Sequence, residues 1–346
     1  MSRRATSEAK RALLFDSASP YRWADLGEIL ANARQFDTAE YCFRQALAAG
    51  PNDPAILCRA ANFFFTTGNH PATLRCLSTV LSNPELAQYY LPAFLTLSRM
   101  DLPITKTLEG GIGGSRVAAH AYLEFLIQQG QLPEAEAAWK WIVARSLCDD
   151  QLAADYVDFL IRKKQPELAA KAWDQVTRGN SPEYLHTNWV FNGGFEFPPR
   201  ASPLDWHIEL TDNVSADRAC GTSQQGKCAL ELAFAGKENV EYHGLGQEAV
   251  ISPGKWHFEG FIKTSGITTD QGISLRIYDA AQPRNLDIET QSLTGTHDWT
   301  KIERIFDVRP PTTLVRIEVV RHASLKIDSK ITGRAWLDSI ALAPQS

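Results

Sequence analysis

The chain lacks several features that mark common classes of protein. Its formal net charge is −5 over 346 residues and it has no run of Lys and Arg, so a nucleic-acid-binding surface is not expected. No stretch approaches 18 apolar residues, so no membrane span is predicted. No apolar segment follows the basic start at Met1. This favours the cytoplasm, or the periplasm or cell envelope if the natural start lies upstream.

Recognisable catalytic motifs are also missing. The sequence contains no GxSxG, no HExxH, no Walker loop and no dinucleotide fingerprint. The Gly-rich stretch 110–114 lacks the Lys-Ser/Thr pair that a phosphate-binding loop needs. Carboxylate pairs can be chosen freely among 40 acidic residues, so their presence decides nothing. We expect a protein that is not an enzyme. The alternative of a carbohydrate-active enzyme with an unrecognised site stays open.

Cysteine is sparse and does not form a metal-binding pattern. The six residues are Cys42, Cys58, Cys76, Cys148, Cys220 and Cys228, and none belongs to a CxxC motif. The first four fall within helical patterns, which indicates small buried residues. Cys220 and Cys228 either form a short disulfide in an oxidising compartment or remain reduced.

The first half carries a helical repeat. Residues 20–51 contain Trp23-x2-Leu26-Gly27-x2-Leu30, followed by Ala39, Phe43, Ala46 and Pro51. This pattern resembles a tetratricopeptide repeat, in which small residues let two antiparallel helices approach and large ones fill the space between them. A single hairpin cannot bury its apolar face, so neighbours are expected. The pattern recurs after 34 residues in two separate pairs of segments. In the first pair, the equivalent positions are Leu30 and Phe64, Arg34 and Gly68, Ala39 and Thr73, Phe43 and Leu77, and Ala46 and Val80. In the second pair, they are Leu126 and Leu160, Gly130 and Lys164, Ala135 and Ala169, Trp139 and Trp173, and Ile142 and Val176.

The composition predicts two domains. A helical tetratricopeptide-type solenoid is expected over 1–183, with an irregular Gly-rich segment near 101–115 that is either a long loop or a binding loop or hinge. An antiparallel β-sandwich is expected over 184–346, because short alternating runs separated by turn residues replace the helical period. The fold class is therefore multi-domain α + β, a helical solenoid followed by a jelly roll. The alternating runs are 228–235, 256–264, 272–279, 302–308, 314–321 and 334–342.

Four motifs in the second half resemble those of galactose-binding-like jelly-roll carbohydrate-binding modules. The opening strand is matched by NWVFNGGFE at 188–196, and the others are GKCALEL at 226–232, QEAVISPG at 247–254 and WLDSIAL at 336–342. The resemblance covers about 186–346. The pairing with helical repeats is similar to bacterial exopolysaccharide-locus proteins.

The resemblance implies a structural calcium ion. In this sequence the matching carboxylates are Glu196 and Asp338, with backbone oxygen from Asn192 or Gly194. Oxygen ligands from the two ends of a domain suit calcium. The alternative is that both carboxylates only accept hydrogen bonds from nearby backbone groups.

Strand alternation predicts a polar outer face that could bind a glycan. If the strands at 256–264, 272–279 and 314–321 adjoin, that face gathers charged residues and one aromatic ring for stacking on a sugar. The predicted residues are Glu259, Arg276, Tyr278, Arg316 and Glu318, with Tyr242 and His243 at the rim. The alternative is an ordinary wet face whose Glu and Arg residues pair across strands. Trp206, Trp256 and Trp336 are expected in the core, while Trp299 is ambiguous because it borders a turn.

These observations favour an adaptor. The helical repeats would bind a protein partner in their groove, with Arg22, Asn32, Asn62 and Tyr122 as candidate contacts. The sandwich would bind a glycan, which points to exopolysaccharide assembly or export. The alternative is a structural scaffold subunit that binds no sugar.

Overall fold

The computed structural model describes residues 2–209, 211–327 and 329–345 and divides the chain into two compact units, Met1–Cys148 and Asp149–Ser346. Helices occupy the first unit and the start of the second. They are α1 Ser2–Phe15, α2 Pro20–Asn32, α3 Phe36–Ala49, α4 Pro54–Thr66, α5 His70–Leu81, α6 Tyr90–Arg99, α7 Ile104–Thr107, α8 Arg116–Gln128, α9 Leu132–Ala144, α10 Asp150–Arg162 and α11 Pro166–Thr177.

The helices pair as hairpins at the predicted repeat. Helix α4 begins 34 residues after α2, and α10 begins 34 residues after α8. Ser19 and Asp53 cap α2 and α4 by accepting backbone N–H groups, and each cap is followed by a Pro in the first turn. A Cβ at Gly27 would lie 3.0 Å from the Phe43 ring, so the small residue permits the close approach of α2 and α3. The predicted helical hairpins are therefore present.

The Gly-rich segment differs from its prediction as a loop or hinge. Helix α7 continues as a π-helical turn over Leu108–Ile112. A Cβ at Gly110 would lie 3.2 Å from Leu74 of α5, and one at Gly111 would lie 3.0 Å from Leu97 of α6. The glycines therefore serve helix packing, with the π-helical turn lying against α5 and approaching α6 at Leu97.

The rest of the second unit is a sandwich of two antiparallel five-stranded sheets, which confirms the predicted fold class. Sheet I has the order β1-β4-β9-β6-β7 and sheet II the order β2-β3-β10-β5-β8. The strands are β1 His207–Ile208, β2 Val214–Cys220, β3 Cys228–Ala235, β4 Tyr242–Val250, β5 Gly254–Ile267, β6 Ser274–Tyr278, β7 Asp287–Glu289, β8 Gly295–Val308, β9 Leu314–Arg321 and β10 Thr332–Pro344.

The segment expected to form the opening strand does not form a regular strand. Residues 189–194 form bends and turns, with Asn192 at φ 51° and Phe195 at φ 52°. These left-handed conformations interrupt an extended pleat. The segment still lies along β10, since Trp189 N–H donates to Leu342 O and Ile340 N–H donates to Gly193 O.

The core lies between the sheets and follows the predicted alternation. Trp206 and Trp256 are buried in it, as expected. Trp336 is not, because its neighbours Ala335 and Leu337 point inward and turn its ring to the outer face of sheet II. The expectation that Trp336 fills the core was therefore wrong.

The two cysteines of the sandwich are bonded to each other. Cys220 ends β2 and Cys228 begins β3, and the two are cross-strand partners that form a disulfide. Of the two states left open by the sequence, the structure has the bonded one, which is stable in oxidising compartments.

Candidate functional site

The helical unit offers polar and apolar surface but buries one of its candidate contacts. Tyr122 is 3% exposed, and burial raises the pKa of its hydroxyl to about 12. Its ring packs beside Phe94 and Phe125, so Tyr122 belongs to the core and not to a groove. Asn32 and Asn62 are exposed, and Arg22 is partly exposed beside Asp16.

In the sandwich, the structure brings five of the seven predicted glycan-binding residues together on the outer face of sheet I. They come from the adjacent strands β4, β9 and β6. We call this set the platform: His243, Arg276, Tyr278, Arg316 and Glu318.

Glu318 is the centre of the platform. Its side chain is only 4% exposed, and four others surround its carboxylate. Tyr278 Oη–H donates to Oε2 over 3.1 Å and Arg316 Nε–H to Oε2 over 3.4 Å. Arg276 Nη1–H donates to Oε1 over 3.4 Å, and His243 Nδ1 lies 3.3 Å from Oε1. The platform is therefore an internal network of charges.

Arg276 covers the aromatic ring that the sequence offered for stacking. Its guanidinium carbon lies 4.3 Å from the centre of the Tyr278 ring. Nε–H and Nη2–H of the same guanidinium donate to Oδ1 and Oδ2 of Asp287, each over 2.8 Å. This pairing raises the pKa of Arg276 and lowers that of Asp287. Burial, together with Glu318, raises the pKa of Tyr278. The Tyr278 ring is not open to a sugar in this arrangement.

Two of the predicted residues lie elsewhere. Glu259 is on β5, which pairs with β10 and β8 in sheet II, so the condition that its strand adjoins the other two is not met. Tyr242 points into the core with 2% exposure, because its position on β4 faces inward, and burial raises its pKa to about 12. Neither residue can rim the platform.

The outer face of sheet II contains a cavity, which we call the groove. It encloses about 830 Å³. Its floor is the bulge in β10 between Asp338 and Ala341, and its walls include the loops 192–197 and 224–226. Side chains on its surface include Asn180, Glu183, Gln224, Gln225, Glu259, Phe261 and Ser339.

Phe261 supplies the aromatic surface of the groove. It alternates with the core residues Phe258, Gly260 and Ile262 and is partly exposed. No ring or cation contact covers the Phe261 ring among the residues that the structure describes. Strand alternation over 256–264 is the sequence signal that places Phe261 on the outer side. The alternation around Ala335 and Leu337 would likewise have placed Trp336 there.

The predicted calcium ligands form the wall of the groove. Glu196 Oε1 accepts Lys227 N–H at 2.7 Å and Cys228 N–H at 3.1 Å, while Asp338 Oδ2 accepts Gln224 N–H at 2.6 Å and Gln225 N–H at 3.0 Å. Both carboxylates therefore reach the same loop. Burial raises the pKa of Asp338 against the opposing effect of these hydrogen bonds.

Glu196, Asp338 and the backbone of Gly194 offer oxygen atoms, the donor type that calcium prefers, although both oxygens of Asp338 already accept hydrogen bonds from Gln224, Gln225 and Ser339. A Cβ at Gly194 would lie 3.6 Å from Asp338 Oδ1 and 3.9 Å from Glu196 Cγ, so the bare backbone of Gly194 runs between the two carboxylates. Asn192 does not fit, because its backbone carbonyl already accepts hydrogen bonds from Trp206 Nε1–H and Phe195 N–H. Its side-chain amide is also engaged, since it donates to and accepts from the backbone of Phe197. We therefore exclude Asn192 from the donor set.

A second group of possible metal ligands lies beside the groove. Donor atoms of His257, Glu259 and Glu303 lie within 4.8 Å of one another. Lys301 Nζ is 2.9 Å from both carboxylates and already forms an ion pair with each. We assign no metal to this cluster.

Comparisons with known proteins reach only the sandwich. No family model matches the chain, and no curated protein matches it. Among solved structures, it is similar to TmCBM61 in complex with β-1,4-galactotriose, with 18% identity over 46% of this chain and 99% of that chain and a TM-score of 0.32. A CBM4 structure is 14% identical over 45% of this chain and 99% of that chain, with a TM-score of 0.33.

A third similar structure is the CBM22-1 xylan-binding domain of Paenibacillus barcinonensis Xyn10C. It is 11% identical over 46% of this chain and 91% of that chain, with a TM-score of 0.29. Because all three TM-scores are below 0.5, the assignment of the sandwich rests on the sheet order given above. No helix in the described part of the chain is long and apolar enough to cross a membrane.

Proposed function

We propose that this chain is a non-enzymatic adaptor whose sandwich binds a glycan in the groove on sheet II and whose helical repeats bind a protein partner. The observation that carries the proposal is the groove itself. It combines a partly exposed aromatic ring, Phe261, with exposed side-chain amides at Gln224 and Gln225. Aromatic surface with a few convergent polar groups is the usual composition of a small-molecule site.

The groove supports this function better than the platform does. A sugar on the platform would have to displace Arg276 from the Tyr278 ring and compete for a carboxylate that already has four neighbours. In the groove, the Phe261 ring and the exposed amides can be reached without breaking an ion pair. We therefore assign the platform to stabilising sheet I and the groove to binding.

The experiment is calorimetric titration of the full chain with a panel of neutral oligosaccharides. We expect Phe261→Ala to weaken binding about ten-fold, because one aromatic contact is lost. Ile305→Ala is a matched control on the same face, since Ile305 is 53% exposed on β8 and does not line the groove. Arg276→Ala and Tyr278→Ala test the platform. Unchanged binding in Phe261→Ala, with loss in the platform variants, would transfer the site to sheet I.

Calcium belongs to the same proposal as a structural group. When bound, it would link Glu196 to Asp338, near the two ends of the sandwich, with Gly194 between them. The two carboxylates hold the 224–228 loop by its backbone N–H groups and so set the wall of the groove.

The adaptor role needs a protein partner for the repeats. Leu91 and Leu95 lie one turn apart on α6 and are 57% and 39% exposed, which supports an apolar contact with a protein partner. We propose that this contact serves exopolysaccharide assembly or export. Replacing both by Asp is expected to abolish association with the partner and leave sugar binding unchanged. Association that survives this change would remove α6 from the contact.

A second candidate function is a scaffold that binds no sugar. The internal pairing of every charged platform residue favours it, because such a network can serve stability alone. Failure of all neutral, acidic and amino oligosaccharides to bind the full chain would establish the scaffold function over glycan binding.

A further inference from the structure

The groove has one sign of charge. Its lining includes the carboxylates of Glu183, Glu196, Glu259 and Asp338 and, within the part of the chain that the structure describes, no Lys, Arg or His. A carboxylated or sulfated sugar would enter against like charges. Hydroxyl groups can donate hydrogen bonds to these oxygens without that penalty.

The carboxylates are also partly balanced by donors on the same outer face, where Lys301 is the cross-strand partner of Phe261. Lys301 Nζ lies 2.9 Å from Glu259, and the backbone N–H groups of 224–228 point at Glu196 and Asp338. A cationic sugar would compete with these donors for the same oxygens. The lining is therefore suited to an uncharged, hydroxyl-rich ligand.

A second aromatic ring follows Phe261 on the same face. Asp338 of β10 pairs with Phe261, and two residues earlier Trp336 pairs with Lys263, so the two rings are diagonal neighbours on adjacent strands. Trp336 is partly exposed, and its Nε1–H donates to Glu231 Oε2 over 2.8 Å. That bond fixes the orientation of the ring while leaving it on the outer face.

We propose that the groove, extended along β10 beyond its lining to Trp336, binds an uncharged oligosaccharide of at least two units, with one sugar against Phe261 and the next against Trp336. The two cations near Trp336 are already paired, Lys263 with Asp298 and Arg334 with Glu231. This inference rests on the proposed glycan function and adds the charge and the length of the ligand. The chain of sugars runs across β10 and β5, from the loop 224–226 toward Glu231.

The test titrates the full chain with matched ligands of three charges: a neutral trisaccharide (cellotriose, xylotriose or galactotriose), trigalacturonate, and the trimer of glucosamine. We expect the neutral trisaccharide to bind at least about ten-fold more tightly than trigalacturonate and its own monosaccharide. Trp336→Ala should weaken trisaccharide binding about ten-fold and leave monosaccharide binding unchanged. Trp336→Phe should largely restore trisaccharide binding, and Ile305→Ala should have no effect. Thermal melts verify that each variant is folded.

The outcomes separate this inference from the function on which it rests. Loss of binding in Phe261→Ala but not in Trp336→Ala would keep the glycan site and overturn the second subsite. Equal or tighter binding of trigalacturonate, or binding of the glucosamine trimer alone, would overturn the uncharged ligand. If no sugar binds, or if Phe261→Ala has no effect, both the groove site and its ligand are overturned.

Discussion

The two outer faces of the sandwich carry similar side chains, but they differ in how deeply their charged groups are buried and in how many partners those groups have. On sheet I, Glu318 is 4% exposed and is surrounded by Arg276, Arg316, Tyr278 and His243. On sheet II, Glu303 is 57% exposed and shares Lys301 with Glu259. The polar groups of the first face are therefore bound to one another, whereas those of the second face remain exposed, which is why we propose the second face as the binding face.

The largest expected effect comes from removing one carboxylate from each face, Glu318 from sheet I and Glu303 from sheet II. Glu318→Ala leaves two guanidinium groups without their shared acceptor, so we expect the free energy of unfolding to fall by about 3 kcal/mol. Glu303→Ala breaks only exposed pairs and should cost less than about 1 kcal/mol. Urea denaturation of both variants checks this contrast. Equal losses would show that the platform is no more integral to the fold than the opposite face.

Calcium should stabilise through sheet II alone. At about 100 times its dissociation constant, the ion is expected to add about 2.7 kcal/mol, and a chelator should lower the melting temperature accordingly. Glu196→Gln should abolish this response, whereas Glu303→Gln, on the same face, should preserve it. A melting temperature that the chelator leaves unchanged would contradict the metal.

The apolar residues of the two faces provide a smaller contrast. Val320 occupies an outward position on β9 and yet is fully buried, whereas Ile305 on β8 is 53% exposed. Val320→Ala is expected to cost about 1.5 kcal/mol and Ile305→Ala less than about 0.5 kcal/mol. Thermal melts of the two variants measure the difference, and a larger loss in Ile305→Ala would reverse the assignment of the covered and open faces.

The carboxyls of Glu248 and Asp338 should make stability depend on pH in one direction, and that of Asp287 in the opposite direction. Burial raises the pKa of Glu248 on sheet I and Asp338 on sheet II, so the folded state retains these protons to higher pH than the unfolded state. Their contribution to stability is therefore lost as the pH rises through the folded pKa. Asp287 behaves in the opposite way, because its hydrogen bond with Arg276 lowers its pKa and its contribution is lost as the pH falls.

Denaturation in the presence of a chelator, between about pH 2 and pH 7, checks these signs, because the contribution of Asp287 is lost below the ordinary aspartate pKa of about 3.9. Glu248→Gln and Asp338→Asn should each reduce the loss of stability on raising the pH. Asp287→Asn should instead reduce the loss on lowering the pH. A variant that changes the slope in the other direction would refute the environment assigned to that carboxyl.

Much of the fold could be predicted because it depends on local periodicity. The runs at 228–235 and 314–321 coincide with β3 and β9, and the 34-residue recurrences correspond to α2/α4 and α8/α10. Side-chain direction was equally predictable, since alternation alone turns Phe261 outward. The stretch 188–196 could not be read in this way, because its left-handed residues follow from contacts with β10.

The candidate site was harder to predict because it depends on strand order. Strand β5 precedes β6 in the chain but pairs with β8 and β10, so Glu259 and Arg276 occupy different sheets. No local pattern records that choice. Arg276 covers the Tyr278 ring because both residues lie on β6 and because Asp287 holds the guanidinium by hydrogen bonds. The spacing of these residues in the sequence shows neither effect.

The central claim, that a glycan binds the face of sheet II and not the platform, is tested most directly by hydrogen–deuterium exchange of the full chain with and without a saturating neutral trisaccharide. We predict slower exchange in the loop 224–228 and in β5 near Phe261, with no change in β6 or β9. Slower exchange in β6 and β9, with the 224–228 loop unaffected, would contradict the account.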